Sequence, residues 1–198
     1  MTKETPEYIM VPGGAVKIKP FARIVVEGMD GAGKTTLVSQ MMSFLGENRA
    51  HFVPGYNRIT GPKPEIHQWW MEQLGFNPEN KVVVHDRFFY PELVYGPILR
   101  NKVNAPPATL AYVLQYLRQH SLLIYCRPPT EVLAKGATVQ QQMKGVHERF
   151  YDLLIQYDSV MVEEANHLSK SGRFIMYDWT KDDAMSKLFH QVMGYIYQ

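Results

Sequence analysis

The chain has 198 residues and a single cysteine, Cys126. One thiol excludes both an internal disulfide framework and a cysteine-rich zinc site. Because Cys126 ends the apolar run SLLIYC, we expect a buried and unreactive thiol. An excess of one charge is also lacking, since 21 lysines and arginines face 19 aspartates and glutamates, for a formal net charge of +2. Such a small surplus does not indicate a nucleic acid or a membrane as a partner.

Long hydrophobic runs are absent from the sequence as well. The longest stretch without a charged residue, 103–117, contains two prolines and falls short of the roughly 20 apolar residues that a membrane span needs. The first residues, MTKETPEYIMVPGG, include early acidic residues and lack the apolar core of a secretory signal. We therefore expect a cytoplasmic protein with no membrane partner.

Short β-rich runs alternate with helical patterns along the chain, which is typical of a parallel sheet covered by helices. The predicted strands are 22–27, 50–53, 81–86, 121–126 and 173–179, and the predicted helices are 34–45, 64–74, about 107–119, about 139–168 and 181–197. This pattern predicts an α/β three-layer sandwich with a five-stranded parallel sheet and helices on both faces. We expect residues 1–20 to form an N-terminal extension and residues 21–198 to form one domain.

A glycine-rich segment joins the first predicted strand to the first predicted helix. Residues 28–35 read GMDGAGKT, which fits the pattern G-x-x-x-x-G-K-[ST] of a phosphate-binding loop, or P-loop. Glycines let backbone N–H groups point inward, and the start of the following helix adds partial positive charge. We expect Lys34 to reach the phosphates and Thr35 to hold Mg²⁺. The predicted nucleotide-binding residues are Gly28, Asp30, Gly31, Ala32, Gly33, Lys34, Thr35 and Thr36.

A phosphate loop indicates a nucleotide but does not define a reaction. The chain has no N-K-x-D segment of the kind that Ras-type GTPases need. Four of its segments, in order, are EGMDGAGKTT (27–36), RITGP (58–62), HDRF (85–88) and PELVY (91–95). They resemble the motifs E-G-x-D-G-x-G-K-[ST]-T, R-x-P-G, D-R-[YF] and S-x-x-A-Y of the thymidylate kinase family. The clear resemblance covers about residues 22–127, and it implies a P-loop kinase that uses ATP and Mg²⁺.

The resemblance implies a role for each motif. Asp30 would accept a hydrogen bond from the 3′-hydroxyl of the acceptor, while Arg87 and Arg58 would bind its phosphate. Asp86, at the carboxyl end of a central strand, would hold Mg²⁺ through water. The implied catalytic residues are Lys34, Asp86 and Arg87, the metal ligands are Thr35 and Asp86, and the substrate-binding residues are Asp30, Arg58, Arg87, Tyr95 and Trp69.

Each of these residues also has a plainer interpretation that the sequence leaves open. Asp30 could face solvent or cap the next helix, and Arg58 could be a surface arginine. Asp86 could be a structural carboxylate that pairs with Lys34 or Thr35. Trp69 could pack in the core, because one tryptophan of an adjacent pair must face away from a ligand on a helix.

The sequence departs from the family pattern at two places. Residue 31 is glycine where some members have an arginine, so a lid over residues 127–147 should supply the positive charge near the reacting phosphates. The candidate lid residues are Lys135, Lys144 and Arg149. The base-side segment between the second and third strands is also short, so the base pocket should differ.

The leading hypothesis is an enzyme that transfers a phosphoryl group from ATP to a deoxynucleoside monophosphate. Monophosphate oxygens are already anionic near neutral pH, so no general base is needed. Two alternatives stay open: a kinase for a hydroxyl acceptor, such as a deoxynucleoside or a modified base in DNA, and a nucleotide-binding module without catalysis. A nucleic-acid partner enters only under the first alternative. Thymidylate kinases are commonly homodimers, so the resemblance also favours a dimer.

Overall fold

The computed structural model describes residues 9–11, 14–16, 19, 22–59, 62, 64–78, 81–139 and 146–197. Within these residues the strands are β1 (Ile9–Val11), β2 (Gly14–Val16), β3 (Arg23–Glu27), β4 (Ala50–Pro54), β5 (Val82–Asp86), β6 (Ser121–Cys126) and β7 (Phe174–Tyr177). The helices are α1 (Lys34–Leu45), α2 (Ile66–Gly75), α3 (Tyr90–Arg100), α4 (Pro107–His120), α5 (Thr130–Val139), α6 (Phe150–Leu168) and α7 (Ala184–Ile196). Short 3₁₀ turns occur at Tyr56–Arg58 and Ser169–Ser171.

Strands β3 to β7 form a five-stranded sheet in the order β4-β5-β3-β6-β7, and every pairing is parallel. All residues of β3, β5 and β6 are buried, as their nearly continuous apolar runs predict for strands covered on both faces. The predicted fold class is therefore confirmed. From β3 the chain passes to β4 and β5, which lie on one side of β3, and then crosses to β6 on the other side. Such a reversal of strand order opens a crevice at the carboxyl ends of β3 and its neighbours.

Helices cover both faces of the sheet. On one face, α1 and α7 meet through the stacked rings of Phe44 and Phe189, whose centroids lie 4.2 Å apart. On the other face, α3, α4 and α6 meet at Glu164, which is 2% exposed. Its carboxylate accepts hydrogen bonds from Arg118 at 2.6 Å and from the Tyr90 hydroxyl at 3.1 Å. None of the helices in the described part of the chain is both long enough and apolar enough to cross a membrane.

Helix α3 was not among the helices predicted from the sequence, because its interior contains Gly96 and Pro97, which disfavour a helix. Proline at position 97 lacks the N–H that would bond to the Leu93 carbonyl one turn earlier. The Gln156 side chain, from α6, donates a hydrogen bond to that carbonyl at 3.4 Å. A partner far along the chain thus compensates for a local defect, and no local pattern could reveal it.

The predicted helix over 139–168 is two helices in the structure. Helix α5 ends at Val139 and α6 begins at Phe150, and residues 140–145 lie outside the described residues. The predicted helix was thus correct for α6 but began too early. Within the expected N-terminal extension, β1 and β2 pair antiparallel. The Lys19 N–H bonds to the Ile196 carbonyl at the end of α7. The division into an extension and one domain stays a prediction.

The Arg118–Glu164 pair gives a stability prediction. We expect Arg118→Met to lower the free energy of unfolding by about 2–4 kcal/mol, because it leaves the buried Glu164 carboxylate without its cation. The double variant Arg118→Met/Glu164→Leu should recover most of this loss, since it removes the orphaned charge. Urea unfolding of the three proteins measures both values. Equal stability of the single variant and the parent protein would contradict the role given to the pair.

Candidate phosphate-transfer site

The loop between β3 and α1 requires glycine for steric reasons. Gly28 has φ 143°, and a Cβ there would lie 2.5 Å from the Cys126 carbonyl oxygen of the adjacent strand. Gly33 has φ 84°, and a Cβ there would lie 2.9 Å from Nε1 of Trp179, whose N–H donates to the Ala32 carbonyl at 3.2 Å. Residues with side chains rarely adopt these backbone angles. The loop is thus clamped between β6 and Trp179.

Helix α1 begins at Lys34 with no side-chain cap and no acidic residue in its first turn. Its first N–H groups therefore point into the loop, which makes the loop a cradle for an anion. The Lys34 ammonium donates to the Met29 carbonyl within the loop at 2.6 Å. Burial, reinforced by the nearby charge of Arg87, lowers the pKa of Lys34 to about 8.

Asp86, at the carboxyl end of β5, lies beside the start of α1. Its Oδ2 accepts hydrogen bonds from the Thr35 hydroxyl at 2.9 Å and from Arg58 at 2.7 Å, and a second nitrogen of Arg58 donates to the Thr35 hydroxyl at 3.0 Å. Asp86 is 2% exposed, whereas the Arg58 side chain is 55% exposed. The predicted metal ligands thus lie side by side, with the guanidinium of Arg58 in contact with both.

Arg87 has a left-handed backbone, with φ 67°, which is uncommon for a residue with a side chain. Its guanidinium donates to Asp30 at 2.5 Å and to the Gly28 carbonyl at 3.1 Å, and lies 5.6 Å from the centre of the Tyr95 ring. Although burial opposes the ionised form, the charges of Arg87 and Lys34 hold the pKa of Asp30 below its ordinary value. Both the predicted loop aspartate and the predicted arginine therefore face the cleft as a pair.

Glu27 lies beneath these groups and is fully buried. Its carboxylate accepts hydrogen bonds from the Phe88 N–H at 2.8 Å and from the Tyr157 hydroxyl at 3.3 Å. Burial raises the pKa of Glu27 to about 7, although the Phe88 N–H and the charges of Arg87 and Lys34 act in the opposite direction. Through Phe88, Glu27 fixes the turn that follows β5, and this turn carries Arg87.

A cleft of about 960 Å³ contains the phosphate loop, Asp86, Arg87 and Tyr95. It continues to the loop after α3, where Arg100, Lys102 and Asn104 line it. This loop is organised by Glu92, whose Oε1 accepts from Arg100 at 2.7 Å and from the Asn104 N–H at 2.7 Å. The sequence does not reveal this role of Glu92, because both partners lie beyond the PELVY segment and the prolines of α3 hide its helical pattern.

Trp69 does not line this cleft, in contrast to its expected role as a stacking residue. It is 5% exposed, and its ring packs against Tyr56 and Phe88 at centroid distances of 5.7 and 5.4 Å. Its neighbour Trp70 is also buried and donates to the Phe88 carbonyl at 3.2 Å. Both tryptophans therefore pack beneath the cleft, and the aromatic residues that line it are Tyr56, Phe88 and Tyr95.

Two of the candidate lid residues, Lys135 and Arg149, belong to the described part of the chain, and neither lines the cleft. Lys135 is exposed on α5, and Arg149 pairs with Asp152 at 2.5 Å on the surface. Lys144 lies outside the described residues. Helix α5 does cross the phosphate loop, because a Cβ on Gly136 would lie 3.3 Å from the Gly31 Cα. Gly31 has φ 81°, a backbone angle that residues with side chains rarely adopt, which explains the glycine there.

The oxygen atoms of Thr35 and Asp86 fit a magnesium ion that also binds phosphate. Mg²⁺ is usually held by one or two protein oxygens together with substrate phosphates and water. No cluster of three or more histidine, cysteine, aspartate or glutamate side chains is found among the residues that the structure describes. The Arg58 guanidinium already contacts both oxygens as a cation.

Comparisons with known proteins support the fold. No known family and no curated protein matches the sequence. The YorR protein of Bacillus subtilis, solved in complex with phosphorylated GDP, is 17% identical, with a TM-score of 0.63 over 86% of this chain and 95% of its own. Deoxyadenosine kinase of M. mycoides, solved with dCMP and dCDP, is 14% identical, with a TM-score of 0.55 over 87% and 98%. The same kinase with dATP is 13% identical, with a TM-score of 0.57 over 86% and 98%.

The chain therefore shares the α/β fold of these solved structures. At these identities the likeness extends to the fold alone, and it does not single out thymidylate kinase.

The lowered pKa of Lys34 predicts proton uptake when a phosphate ligand binds. Near pH 8 the free lysine is about half protonated, and a neighbouring phosphate favours the ammonium form, so binding should take up roughly half a proton. The affinity for ADP should fall between about pH 7 and 9. Calorimetry in two buffers of different ionisation enthalpy measures the uptake.

Lys34→Arg is the matched control, because a guanidinium keeps its charge throughout this range. We expect the control variant to bind ADP without the proton uptake that occurs near pH 8. Equal uptake in both proteins would assign the proton to another group.

Proposed function

We propose that the protein transfers a phosphoryl group from ATP to a deoxynucleoside monophosphate. One observation carries the proposal: Arg58 and Arg87, which follow the neighbouring strands β4 and β5, line the same cleft as the phosphate loop. The loop accounts for one phosphorylated ligand, the donor. Two further arginines beside the loop indicate a second phosphorylated ligand, because planar guanidinium groups suit bidentate phosphate binding.

The donor would lie with its phosphates in the loop and its base beside Trp179. A hollow of about 460 Å³ adjoins the loop, and Thr36, Gln40, Tyr177 and Trp179 line it. Lys34 would leave the Met29 carbonyl to contact the outer phosphates. Mg²⁺, held by Thr35 and Asp86, would neutralise charge that develops on the transferred group. Asp30 and Arg87 would orient the acceptor in line with the donor.

The pairing of the carboxylates favours a monophosphate acceptor over a hydroxyl acceptor. Of the four carboxylates that line the cleft, Asp30, Asp86 and Glu92 each accept from an arginine, and the fourth, Glu65, is exposed just before α2. Glu27 is buried beneath the cleft. A hydroxyl acceptor needs a carboxylate that is free to take a proton. A monophosphate needs none, since its oxygens are already anionic.

A hydroxyl acceptor is the second candidate, and the far end of the cleft favours it. The loop at 100–106 adds Arg100 and Lys102, which lie beyond the arginines assigned to the acceptor phosphate. They would suit an acceptor larger than a mononucleotide. In that case Asp86 or Asp30 would have to exchange its arginine partner and serve as the base.

A turnover assay tests the proposed function and separates the candidates. The purified protein is incubated with Mg·ATP and a panel of the four common deoxynucleoside monophosphates, their nucleosides and single-stranded DNA, and both ADP and the phosphorylated product are measured. Turnover of a monophosphate that disappears in Lys34→Ala supports the proposal. Transfer only to a nucleoside or to DNA supports the second candidate. Nucleotide binding without transfer would leave a binding module.

Arg87→Lys gives a sharper prediction for the acceptor. Lysine keeps the positive charge and meets the same backbone strain, but it lacks the planar fork. We expect kcat/KM for the monophosphate to fall by about 10- to 100-fold, because one hydrogen bond to a charged group is lost. The KM for ATP should change little. Steady-state kinetics with each substrate varied in turn measures both, and an equal rise in the two KM values would contradict the assignment.

A further inference from the structure

We propose that Arg58 exchanges partners during loading: it holds Thr35 and Asp86 in the arrangement described here, and binding of a magnesium nucleotide releases it to the phosphate of the acceptor. The inference rests on the proposed function and adds a coupling between the two substrate sites. Arg58 is thus a positioning residue for the metal site and a binding residue for the acceptor.

The contacts of Arg58 form a closed triangle. One guanidinium nitrogen donates to Asp86 Oδ2 at 2.7 Å and the other to Thr35 Oγ1 at 3.0 Å. The Thr35 hydroxyl in turn donates to Asp86 Oδ2 at 2.9 Å. The guanidinium thus contacts both oxygens assigned to the metal. A divalent cation at these oxygens would repel it strongly at such short range, so the two cations compete for one place.

The backbone near Arg58 is held firmly, while its side chain is free to leave. Arg58 ends the 3₁₀ turn Tyr56–Arg58, and its N–H bonds to the Gly55 carbonyl at 2.8 Å. Gly55 packs so closely on β5 that a Cβ would lie 2.8 Å from the Asp86 carbonyl. Asp86 is 2% exposed and the Arg58 side chain is 55% exposed, so Asp86 is the fixed partner and Arg58 the one that moves.

A released guanidinium has a second use in the same cleft. Arg58 and Arg87 both line it, and Arg87 is paired with Asp30. Once Mg²⁺ has taken over Thr35 and Asp86, the positive charge of Arg58 has no carboxylate partner and favours an incoming phosphate. The metal nucleotide should therefore strengthen binding of the acceptor, and by reciprocity the acceptor should strengthen binding of the metal nucleotide.

Two simpler roles for Arg58 make different predictions. If Arg58 only attracts anions, its removal weakens nucleotide binding whether or not a metal is present. If it only stabilises the fold, its removal lowers stability and leaves nucleotide affinity unchanged. Only the exchange predicts that removal strengthens binding, and only in the presence of the metal.

Calorimetry with β,γ-methylene-ATP tests the exchange in excess Mg²⁺ and, separately, in EDTA. The proteins are the parent, Arg58→Gln and the control Arg49→Gln. The control changes an exposed arginine directly before β4, whereas Arg58 follows that strand. In Mg²⁺ we expect Arg58→Gln to bind the analogue about two- to tenfold more tightly than the parent, since the competing ion pair is gone. In EDTA its affinity should be equal or weaker. Arg49→Gln should match the parent in both.

The coupling is read from the affinity for dTMP, measured with and without the magnesium analogue. The parent should bind dTMP more tightly when the analogue is present, and Arg58→Gln should lose this enhancement. Weaker binding of the analogue by Arg58→Gln in both conditions, or equal binding in both, overturns the exchange. Because the parent protein reports nucleotide binding in the same experiment, failure to bind the analogue at all would overturn the proposed function as well. Circular dichroism confirms that the variants are folded.

Discussion

Arginine–carboxylate pairing is the interaction on which the cleft depends. Arg58 with Asp86 joins the turn after β4 to the end of β5, and Arg87 with Asp30 joins the turn after β5 to the phosphate loop. Arg100 pairs with Glu92 within α3, and Glu92 also accepts from the N–H of Asn104 in the loop after α3. The pairs of Arg58 and Arg87 each keep a cation beside the phosphate loop, and each neutralises a carboxylate that would otherwise repel a phosphate there. In the Arg58–Asp86 pair the arginine is 55% exposed and the carboxylate 2%, so the arginine is the partner that can turn to another anion. The cleft can therefore hold its shape before loading and still accept anions.

Close packing against neighbouring elements determines the shape of the phosphate loop. Gly28 adjoins the backbone of β6, Gly33 adjoins Trp179, and Gly31 adjoins Gly136 of α5. Three surrounding elements thus contact the loop, which leaves its N–H groups directed toward the cleft. Beneath it, Glu27 links the loop strand to the turn of Arg87 and, through Tyr157, to α6. A displacement of α6 would therefore be transmitted through the buried Glu27 carboxylate to the turn that carries Arg87.

Most of the sheet and the core of the site could be predicted from the sequence, and the remainder depends on contacts distant in the chain. The five parallel strands follow from short apolar runs, and the loop from its glycine spacing. Helix α3 could not be predicted, because Pro97 disfavours a helix and the hydrogen bond to the carbonyl that Pro97 leaves free comes from Gln156, which is distant in the chain. Trp69 was misplaced because helical spacing does not say which side of α2 faces a ligand; Tyr56 and Phe88 cover that ring. The dimer and the role of Lys144 stay predictions.

The acceptor end is where this chain departs most from the family that it resembles. Helix α2 has 10 residues, so the segment between β4 and β5 supplies only a short wall for a base. The opposite wall comes from the loop after α3, held by Glu92, and it brings Lys102 and Asn104 to the cleft. A short wall on one side and a cationic loop on the other favour an acceptor recognised by its charge as much as by its base. Under the proposed function, the arginines next to the phosphate loop would serve every phosphorylated acceptor alike, so selectivity would depend on this outer loop.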